Sequence, residues 1–584
     1  MTTTSAKNKI KMQSNALVRY LPILGWLPIY DRAWLSADLL AGLVAAAVVI
    51  PQAIAYASIA GLPVQVGLYV ALAPMLVYTL LGSSRPLSVS STSTISMLVA
   101  SSLALAVQSD NSAAAGGTNF IVPAATLAFM VGVFLLLASF LRLGVLANLI
   151  SLPVLTGFKA GIGLVIIVGQ LSKVLGLSIP KGPVFHTLLA VLKNLGQTHW
   201  PTLAVALVTL AILLVLPRLN RRVPAALVAV ALGILAAALL NLEASGVKLV
   251  GAIPPGLPRL SLPDWTLFEA LWPGALGIAL ISFVESIASA RSFMRHDDPP
   301  VDANQELFAL GLANIAGGFT QAYPAGGGTS QTAVNDGAGA RSQIAQMVTA
   351  LVTVVTLLFL APLIGLMPQA TLGALVLVAA AGLVKVGEFQ KIARFRRVEL
   401  SWALVAFAGV VLLGTLQGIL VAIIVSILVI MYFANRPPVY AMGRKPGSNV
   451  FRPLGAHPED ETFPGLLILR SEGMLYFGSA PRAIESYWTL IHQYRPQVVV
   501  LECSAIPNVE YTALGLLADF EEKLADAGIV LWLAMLNPNV MRAVDAAPFG
   551  RRVTRERMFF NLKRAVAAFQ NDQEKEREND GEES

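Results

Sequence analysis

Residues 203–216 read LAVALVTLAILLVL and are apolar at every position except Thr209. A membrane β-strand alternates apolar and polar residues over about 10 positions, so this run excludes a β-barrel and predicts a membrane-spanning helix. Windows of this kind, each about 20 residues long, recur from Leu39 almost to Ala434 and stop after Arg436. The sequence therefore predicts an α-helical polytopic membrane protein with a non-membrane segment at its C-terminal end.

The composition of the whole chain agrees with this prediction. Of 584 residues, 56% are hydrophobic and 13% are charged, and the mean hydropathy is +0.69, far above that of a soluble globular protein. The net charge of +7 does not indicate a nucleic-acid partner, because the basic residues lie between apolar segments and form no aromatic-interleaved patch. The single cysteine, Cys503, excludes an intrachain disulfide and suits a reducing cytoplasm.

Hydropathy divides the membrane part into fourteen segments in two groups of seven. The first group comprises residues 38–58, 65–82, 91–107, 119–142, 153–176, 200–217 and 223–241. The second comprises residues 272–292, 304–320, 328–338, 342–362, 371–385, 399–414 and 416–435. Because each group has an odd number of segments, the second is inverted relative to the first, which is the arrangement of an inverted repeat.

The distribution of basic residues predicts the orientation of these segments. With the N-terminus inside, the inner loops hold thirteen Lys and Arg residues, among them Lys385, whereas the outer loops hold five, among them Lys173 and Lys248. No signal peptide is visible in residues 1–38. We expect a multi-pass protein of a bacterial-type inner (plasma) membrane with both termini in the cytoplasm.

Two segments are too short and too polar to be ordinary spans. They are residues 88–96, SVSSTSTIS, and residues 326–332, GGGTSQT, and they occupy matching third positions in the two groups. Interrupted half-helices at corresponding places mark the midplane binding site of many transporters, because helix N-termini direct N–H groups at an anion. The alternative is that these Ser and Thr side chains only hold neighbouring helices together.

Isolated polar side chains inside apolar segments point to the same region. Glu285 lies within residues 274–290, where an ionised carboxylate is costly unless it is paired or neutralised. It is a candidate proton carrier, with a structural ion pair as the alternative. Lys159 either extends to the cytoplasmic surface or offers a cation to the substrate. Pro51 is expected to break the first helix near Gln52 and Tyr56.

The sequence offers no sign of an enzyme. It has no metal-ligand spacing, no catalytic triad and no phosphate-binding loop, since the glycines at 326–328 are not followed by Lys-Ser/Thr. We therefore expect no metal, no cofactor and no transport driven by ATP hydrolysis.

The C-terminal part has the pattern of a small α/β domain. Strands are predicted at 466–469, 474–477, 498–503 and 529–536, with helices at 481–494 and 513–527. The resulting domains are a cytoplasmic N-terminal segment at 1–37, a transmembrane domain at 38–436, a linker at 437–463, an α/β domain at 464–570 and a disordered charged tail at 571–584.

Several ordered motifs resemble the signature regions of the SulP anion permeases. They are IPQAIAY at 50–56, GLP at 61–63, GLY at 67–69, GSSR at 82–85, LSV at 87–89, FVESI at 283–287, NQEL at 304–307, GLAN at 311–314 and SQTAVN at 330–335. The C-terminal part resembles a STAS domain. Together these similarities cover nearly the whole chain.

The resemblance implies a seven-plus-seven inverted repeat like that of uracil permeases, with core and gate domains and a homodimeric assembly. It also implies a substrate site between the third and tenth half-helices, lined by Gln52, Tyr56, Ser91, Thr92, Gly328, Thr329, Ser330 and Gln331. Glu285 matches an acidic residue associated with proton coupling in sulfate-type members. Sodium-coupled bicarbonate members typically carry Asp there, so Glu285 favours protons.

Two departures from the family pattern affect these expectations. Many members have Ser-Arg where this chain has Ser330-Gln331, so a fixed cation is missing. We hypothesise that Lys159 replaces it opposite Gln331. A phosphorylatable serine of related STAS domains is also absent, because Thr512 follows Glu510 and Tyr511.

The function expected from these features is secondary active transport of a small anion across a lipid membrane. The leading candidate is proton-coupled uptake of sulfate or a similar inorganic oxyanion. Bicarbonate, with sodium as an alternative coupling ion, and C4-dicarboxylates are the nearest rivals. An uncoupled anion channel and a transport-dead membrane sensor that signals through its STAS domain are the remaining alternatives.

Overall fold

The chain forms two compact units. The computed structural model describes residues 20–109, 120–148, 151–179, 182–220, 223–296 and 298–582. Its contacts separate Met1–Ser426, which contains most of the apolar helices, from Ile427–Ser584, which contains the α/β fold. The division falls inside the last apolar helix, slightly before the predicted end of the membrane part at 436.

Each of the first seven predicted segments corresponds to helical structure. In chain order the elements are α1 (Leu35–Ala60), α2 (Val64–Val70), α3 (Ala73–Leu81), β1 (Val89–Ser90), α4 (Ser93–Ser109), α5 (Ile121–Phe140), α6 (Leu152–Leu175), the amphipathic α7 (Val184–Lys193), α8 (Trp200–Leu219) and α9 (Ala225–Leu239). The expected break at Pro51 does not occur, because α1 continues through this proline as one helix. It ends at Gly61, whose φ of 74° gives a left-handed C-terminal cap.

The second group repeats this pattern. Its elements are α10 (Phe268–Ser292), α11 (Ala303–Phe319), β2 (Gly326–Gly327), α12 (Thr329–Gly337), α13 (Ile344–Val355), a π-helical turn (Thr356–Leu360), α14 (Ala361–Gly365), α15 (Gln369–Ala381), the amphipathic α16 (Val386–Phe395), α17 (Arg397–Leu413) and α18 (Thr415–Ala434). Within the described residues, nine helical stretches are long and apolar enough to cross a membrane. The predicted segments formed by α4, α9, α11, α12 and α17 are shorter.

The helices of the membrane unit pack in two groups. In one, α1 packs against α4, α12 and α13, while α5 packs against α10 and α11. In the other, α6 packs against α15 and α17, and α8 packs against α15. Contacts of α9 and α15 with α1 join the groups. The two half-helices, α4 and α12, therefore belong to the group that contains α1.

The C-terminal unit contains a six-stranded sheet. Its elements are β3 (Val439–Arg444), β4 (Phe451–Pro453), β5 (Leu466–Ser471), α19 (Ala480–Tyr494), β6 (Val498–Glu502), α20 (Tyr511–Asp526), β7 (Val530–Ala534), α21 (Pro538–Ala546), α22 (Pro548–Arg552), β8 (Met558–Phe559) and α23 (Leu562–Glu582). The strand order is β4-β3-β5-β6-β7-β8. Strands β5 to β8 are parallel, whereas β3 is antiparallel to both of its neighbours.

The two faces of this sheet bury separate hydrophobic cores. On one face α19 and α20 meet the sheet, and the rings of Tyr487 and Phe520 lie 5.6 Å apart. On the other face α23 packs on the sheet, and the rings of Trp532 and Phe569 lie 6.4 Å apart. Because both faces are covered, the central parallel strands are apolar at nearly every position.

The C-terminal unit differs from the sequence prediction at three places. Residues 437–463, expected to be a linker, contain β3 and β4, which complete the sheet by pairing with β5. Residues 474–477 form no strand, and only Leu475 makes an isolated bridge, to Val509. The tail expected to be disordered from 571 continues α23 to Glu582, since its Glu, Lys, Arg and Gln residues favour a helix that has already begun.

Candidate functional site

The two half-helices begin at the same place in the membrane unit. Strands β1 and β2 pair antiparallel, with Val89 opposite Gly327. Helix α4 then begins at Ser93 and helix α12 at Thr329. The pairing therefore brings the N-terminal ends of both helices together, and each such end carries a partial positive charge from its unpaired N–H groups.

Glycines let β2 lie directly against α10. A Cβ atom at Gly326 would be 2.9 Å from Ser282 Oγ, and one at Gly327 would be 2.9 Å from Ser286 Cα. Two hydrogen bonds fix the contact, since Ser282 Oγ donates to the Ala325 carbonyl at 2.7 Å and the Gly327 N–H donates to Ser286 Oγ at 2.7 Å. Side chains larger than hydrogen would separate the half-helix from α10, which carries Glu285.

A cavity of about 540 Å³, which we call the central cavity, lies at the N-terminal ends of the half-helices. All ten residues predicted for the site line it. Its walls are formed by Gln52, Tyr56, Ser91, Thr92, Ser93, Thr94, Leu152, Leu155, Thr156, Lys159, Glu285, Gly328, Thr329, Ser330, Gln331, Ala333, Val378, Ala379, Gly382, Leu383, Lys385 and Glu388. The central cavity is thus hydroxyl-rich on the side of the half-helices and mainly apolar on the side of α6 and α15.

The exposed residues of the lining mark the mouth of the central cavity. Leu152, Gly382 and Lys385 are exposed, as are Thr329, Ser330 and Ala333 on α12, whereas Glu285 and Gln331 are buried. The mouth therefore lies between α12, the beginning of α6 and the turn before α16. Of the lining residues on α6 and α15, the sequence predicted only Lys159, because only the tertiary fold brings these two helices opposite the half-helices.

Glu285 and Lys159 form an ion pair inside the central cavity. Lys159 Nζ lies 3.1 Å from Glu285 Oε1, and the side chains are 25% and 6% exposed, respectively. The hydroxyl of Thr92 lies 3.5 Å from the other carboxylate oxygen, Oε2. In this conformation the ammonium group of Lys159 points into the cavity, and Glu285 makes the ion pair that was the alternative to its role as a proton carrier.

Gln331 connects the two half-helices. Its amide Nε2 donates to the Ser91 carbonyl at 3.2 Å, and its Oε1 accepts a hydrogen bond from Ser90 Oγ. The side chain is only 1% exposed. Where an arginine would add a cation, this amide holds β1 and α12 together and contributes no charge to the central cavity.

Gln52 presents a buried polar atom without a partner. Its Oε1 makes no hydrogen bond to any described residue, although its side chain lines the central cavity. A buried polar atom left unpaired costs about 1–3 kcal/mol. Because amide oxygen and nitrogen are assigned from their surroundings, a rotated amide would instead direct an N–H into the cavity. Either orientation leaves a hydrogen-bonding group available to a bound molecule.

Two further buried carboxylates were not predicted as site residues. Asp38 accepts hydrogen bonds from the N–H and the hydroxyl of Ser342, at 3.1 and 2.7 Å. Glu306 accepts from Tyr78 and from both the N–H and the hydroxyl of Ser83. Neither residue lines the central cavity. Their partners are hydroxyl and backbone groups that connect separate helices, so these contacts are structural.

Comparison with known proteins identifies both parts of the chain. Residues 35–406 match the Sulfate permease family and residues 457–565 match the STAS domain. A probable sulfate transporter of Mycobacterium tuberculosis is 36% identical over 555 residues, which covers 93% of this chain and 98% of the relative. Probable sulfate transporter 3.3 of Arabidopsis thaliana is 30% identical over 580 residues, covering 94% and 90%.

Two solved structures share the fold. Murine Slc26a9, described as an anion transporter in the inward-facing state, has a TM-score of 0.85 at 24% identity, with 96% of each chain covered. The transmembrane domain of the cyanobacterial bicarbonate transporter BicA has a TM-score of 0.58 at 24% identity, covering 68% of this chain and 98% of that domain. The first alignment extends over both the membrane helices and the C-terminal α/β unit.

Proposed function

Because this chain belongs to the sulfate permease family, we propose that it takes up sulfate or a similar inorganic oxyanion together with protons. The observation that carries this proposal is the Lys159–Glu285 ion pair in a cavity formed at the ends of two half-helices. Sulfate is the anion named for the similar proteins of Mycobacterium tuberculosis and Arabidopsis thaliana. The cavity supplies the chemistry that recognition of such an anion requires.

Anion binding would use three kinds of group. The N-terminal ends of α4 and α12 each contribute roughly half a positive charge, and the hydroxyls of Ser91, Thr92 and Ser330 supply hydrogen bonds. Lys159 supplies a full charge from the opposite wall. The apolar side formed by α6 and α15 lowers the local dielectric, which strengthens each of these interactions.

The ion pair couples the anion to a proton. While Glu285 is ionised it neutralises Lys159, at 3.1 Å, and an incoming anion would have to compete with the carboxylate. When Glu285 takes up a proton, the charge of Lys159 becomes available to the anion. A hydrogen bond to a charged group contributes about 1.5–3 kcal/mol. By thermodynamic reciprocity the bound anion then favours protonation of Glu285 by the same factor.

The position of the mouth supports an inward-open state. Lys385, at the mouth of the central cavity, belongs to a loop that the distribution of basic residues places in the cytoplasm. Movement of the α6–α15 group relative to the α1–α4–α10–α12 group would close this mouth and open the opposite side. We also propose that both termini are cytoplasmic in a bacterial-type inner membrane, as the distribution of basic residues predicts. The family resemblance implies that the protein assembles as a homodimer.

Transport into proteoliposomes tests the function. Uptake of labelled sulfate should accelerate when the outside is more acidic than the lumen, and bicarbonate and succinate at equal concentration should compete poorly. Uptake that ignores the pH gradient would indicate a channel or an exchanger. If bicarbonate or succinate competed more strongly than expected, that anion and not sulfate would be the substrate.

Substituting Glu285 tests the coupling step. Glu285→Gln keeps the shape of the side chain and mimics its protonated form, so sulfate should still bind and equilibrate while proton-driven accumulation disappears. Glu269→Gln is the matched control, because Glu269 lies on the same helix but is exposed and outside the central cavity. If the Glu285 variant still accumulates sulfate in proportion to the pH gradient, another group carries the proton.

A further inference from the structure

A second, smaller cavity lies at the C-terminal end of α6. Its volume is about 80 Å³, and it is formed at the ends of α6, α8 and α15 together with the connection that precedes α10. Its polar side chains are those of Ser172, Lys173, His199, Thr202, Lys248 and Gln369. Lys159 and Lys173 are fourteen residues apart on one helix, a distance of about 21 Å at 1.5 Å per residue. This second cavity, which we call the outer cavity, is therefore separate from the central cavity.

The charges around the outer cavity favour an anion. Among the described residues that form it, every ionisable side chain is basic, namely Lys173, His199 and Lys248. The first turns of α8 and α15 also form its walls, so two helix dipoles present their positive ends, while the C-terminal end of α6 contributes one negative end. Since each helix end corresponds to roughly half a charge, the two lysines outweigh the end of α6.

Hydrogen bonds hold both lysines at the outer cavity. Lys248 Nζ donates to Ser178 Oγ at 3.3 Å. Lys173 Nζ donates to Ser58 Oγ, on the helix that also contributes Gln52 and Tyr56 to the central cavity. Lys173 thus connects the outer end of α6 to the first substrate-lining helix.

The dimensions of the outer cavity restrict what it can hold. A water molecule requires roughly 10–15 Å³ of such volume, so about 80 Å³ accommodates a compact oxyanion but not a nucleotide or a lipid headgroup with its glycerol. The hydroxyl of Thr202 also lines the outer cavity. His199 Nδ1 lies 2.8 Å from Thr202 Oγ1. Donors of this kind suit the several oxygens of a tetrahedral or trigonal oxyanion.

We propose that the outer cavity binds one small inorganic oxyanion, at the face of the membrane opposite the mouth of the central cavity. Its use as a waiting site for transported anions rests on the proposed transport function, whereas the binding itself does not. Closure of the central mouth and movement of α6 along α1 would then expose the central cavity to an anion already held near Lys173.

Chemical modification of lysines tests the binding. Purified full-length protein is treated with an amine-reactive reagent in sulfate or in chloride of equal ionic strength, and modification is followed residue by residue by mass spectrometry. Sulfate should slow modification of the exposed Lys248 severalfold. Lys193 is the matched control, since it is also exposed and predicted to lie on the same face but does not line the outer cavity. Equal rates for Lys248 in the two salts would refute the site.

Three variants distinguish the outer cavity from the central one. Protection of Lys248 should be lost in Lys173→Met, retained in the charge-conserving Lys173→Arg, and retained in Lys159→Met, which alters only the central cavity. Protection that disappears in Lys159→Met but persists in Lys173→Met would assign the effect to the central cavity and overturn the proposal. Because this readout needs no transport, it remains decisive even if proton-coupled sulfate uptake is not observed.

Discussion

The two half-helices occupy equivalent positions but differ in chemistry. The first approaches the central cavity through SVSSTST and continues as a helix of 17 residues, whereas the second approaches through three glycines and forms a helix of only 9 residues. The antiparallel pairing of β1 and β2 preserves the geometry of both. The repeat therefore fixes the path of the backbone, while most of the hydroxyl groups come from the first half and the close backbone approach comes from the second.

The chemistry of the two half-helices also explains why the cation of the central cavity lies on α6. Neither half-helix contributes a cation to the central cavity, because Gln331 is neutral and is held by Ser90 and Ser91. The cation comes from Lys159, in the opposing group of helices, where it pairs with Glu285. If the central cavity binds the anion as proposed, a charge on the opposing group would separate from the anion when the two groups move, which a fixed arginine on α12 could not do.

Replacing a glycine of the second half-helix should have the largest effect. Gly327→Ala places a Cβ atom 2.9 Å from Ser286 Cα and 2.8 Å from Leu87 Cδ1. Overpacking of this kind costs about 1–3 kcal/mol, and the displaced β2 would no longer support the central cavity. We expect a lower unfolding temperature in detergent and loss of transport. Gly337→Ala is the control, since nothing lies within 4 Å of its Cβ position. Equal stability of both variants would contradict the close-packing argument.

Removing the cation opposite the half-helices should come next. Lys159→Met should weaken sulfate binding by about 10- to 150-fold, since a charge-assisted hydrogen bond contributes about 1.5–3 kcal/mol. Titration calorimetry on the purified protein measures this affinity. Gln331→Arg in the same background should restore part of it by placing a cation on α12. Unchanged affinity in the Met variant would show that the half-helices alone hold the anion.

The connection between the half-helices should contribute a smaller amount. Ser90→Ala removes the donor to Gln331 Oε1 and leaves a buried acceptor unpaired, at a cost of about 1–3 kcal/mol in unfolding free energy. Ser292→Ala, an exposed serine on α10, should change stability by less than about 0.5 kcal/mol. Denaturant unfolding compares the two. A Ser90 variant as stable as the Ser292 variant would mean that Gln331 is satisfied elsewhere.

Removing the STAS domain should affect the central cavity least. Every residue that lines this cavity lies before Glu399, so truncation after Arg436 should leave sulfate affinity unchanged while it lowers the maximal rate or the extent of dimer formation. Transport kinetics and light scattering of the truncated protein test this. If rate and assembly both match those of the full chain, the domain has no regulatory role under those conditions.

The sequence predicted the membrane helices closely, because apolar length is a local property. For example, α6 (Leu152–Leu175) was expected at 153–176, and both half-helices were located from their polarity. It was less successful in the C-terminal unit. Strand β3 is as long as β5, but its Ala and Gly residues weaken the strand pattern, and it forms because β5 offers a free edge to pair with. A strand at 474–477 was predicted from composition alone and has no such partner.

By itself the sequence determined the family, the number of membrane segments and the residues of the two half-helices, since these depend on local polarity and on ordered motifs. It left undecided whether Lys159 reached the membrane surface or the substrate. Only the tertiary structure decided which partner the ammonium has, by placing Lys159 Nζ on α6 3.1 Å from Glu285 Oε1 on α10. The physical reason is that a buried charge takes the partner that packing provides, and packing between distant helices is not encoded in either segment alone.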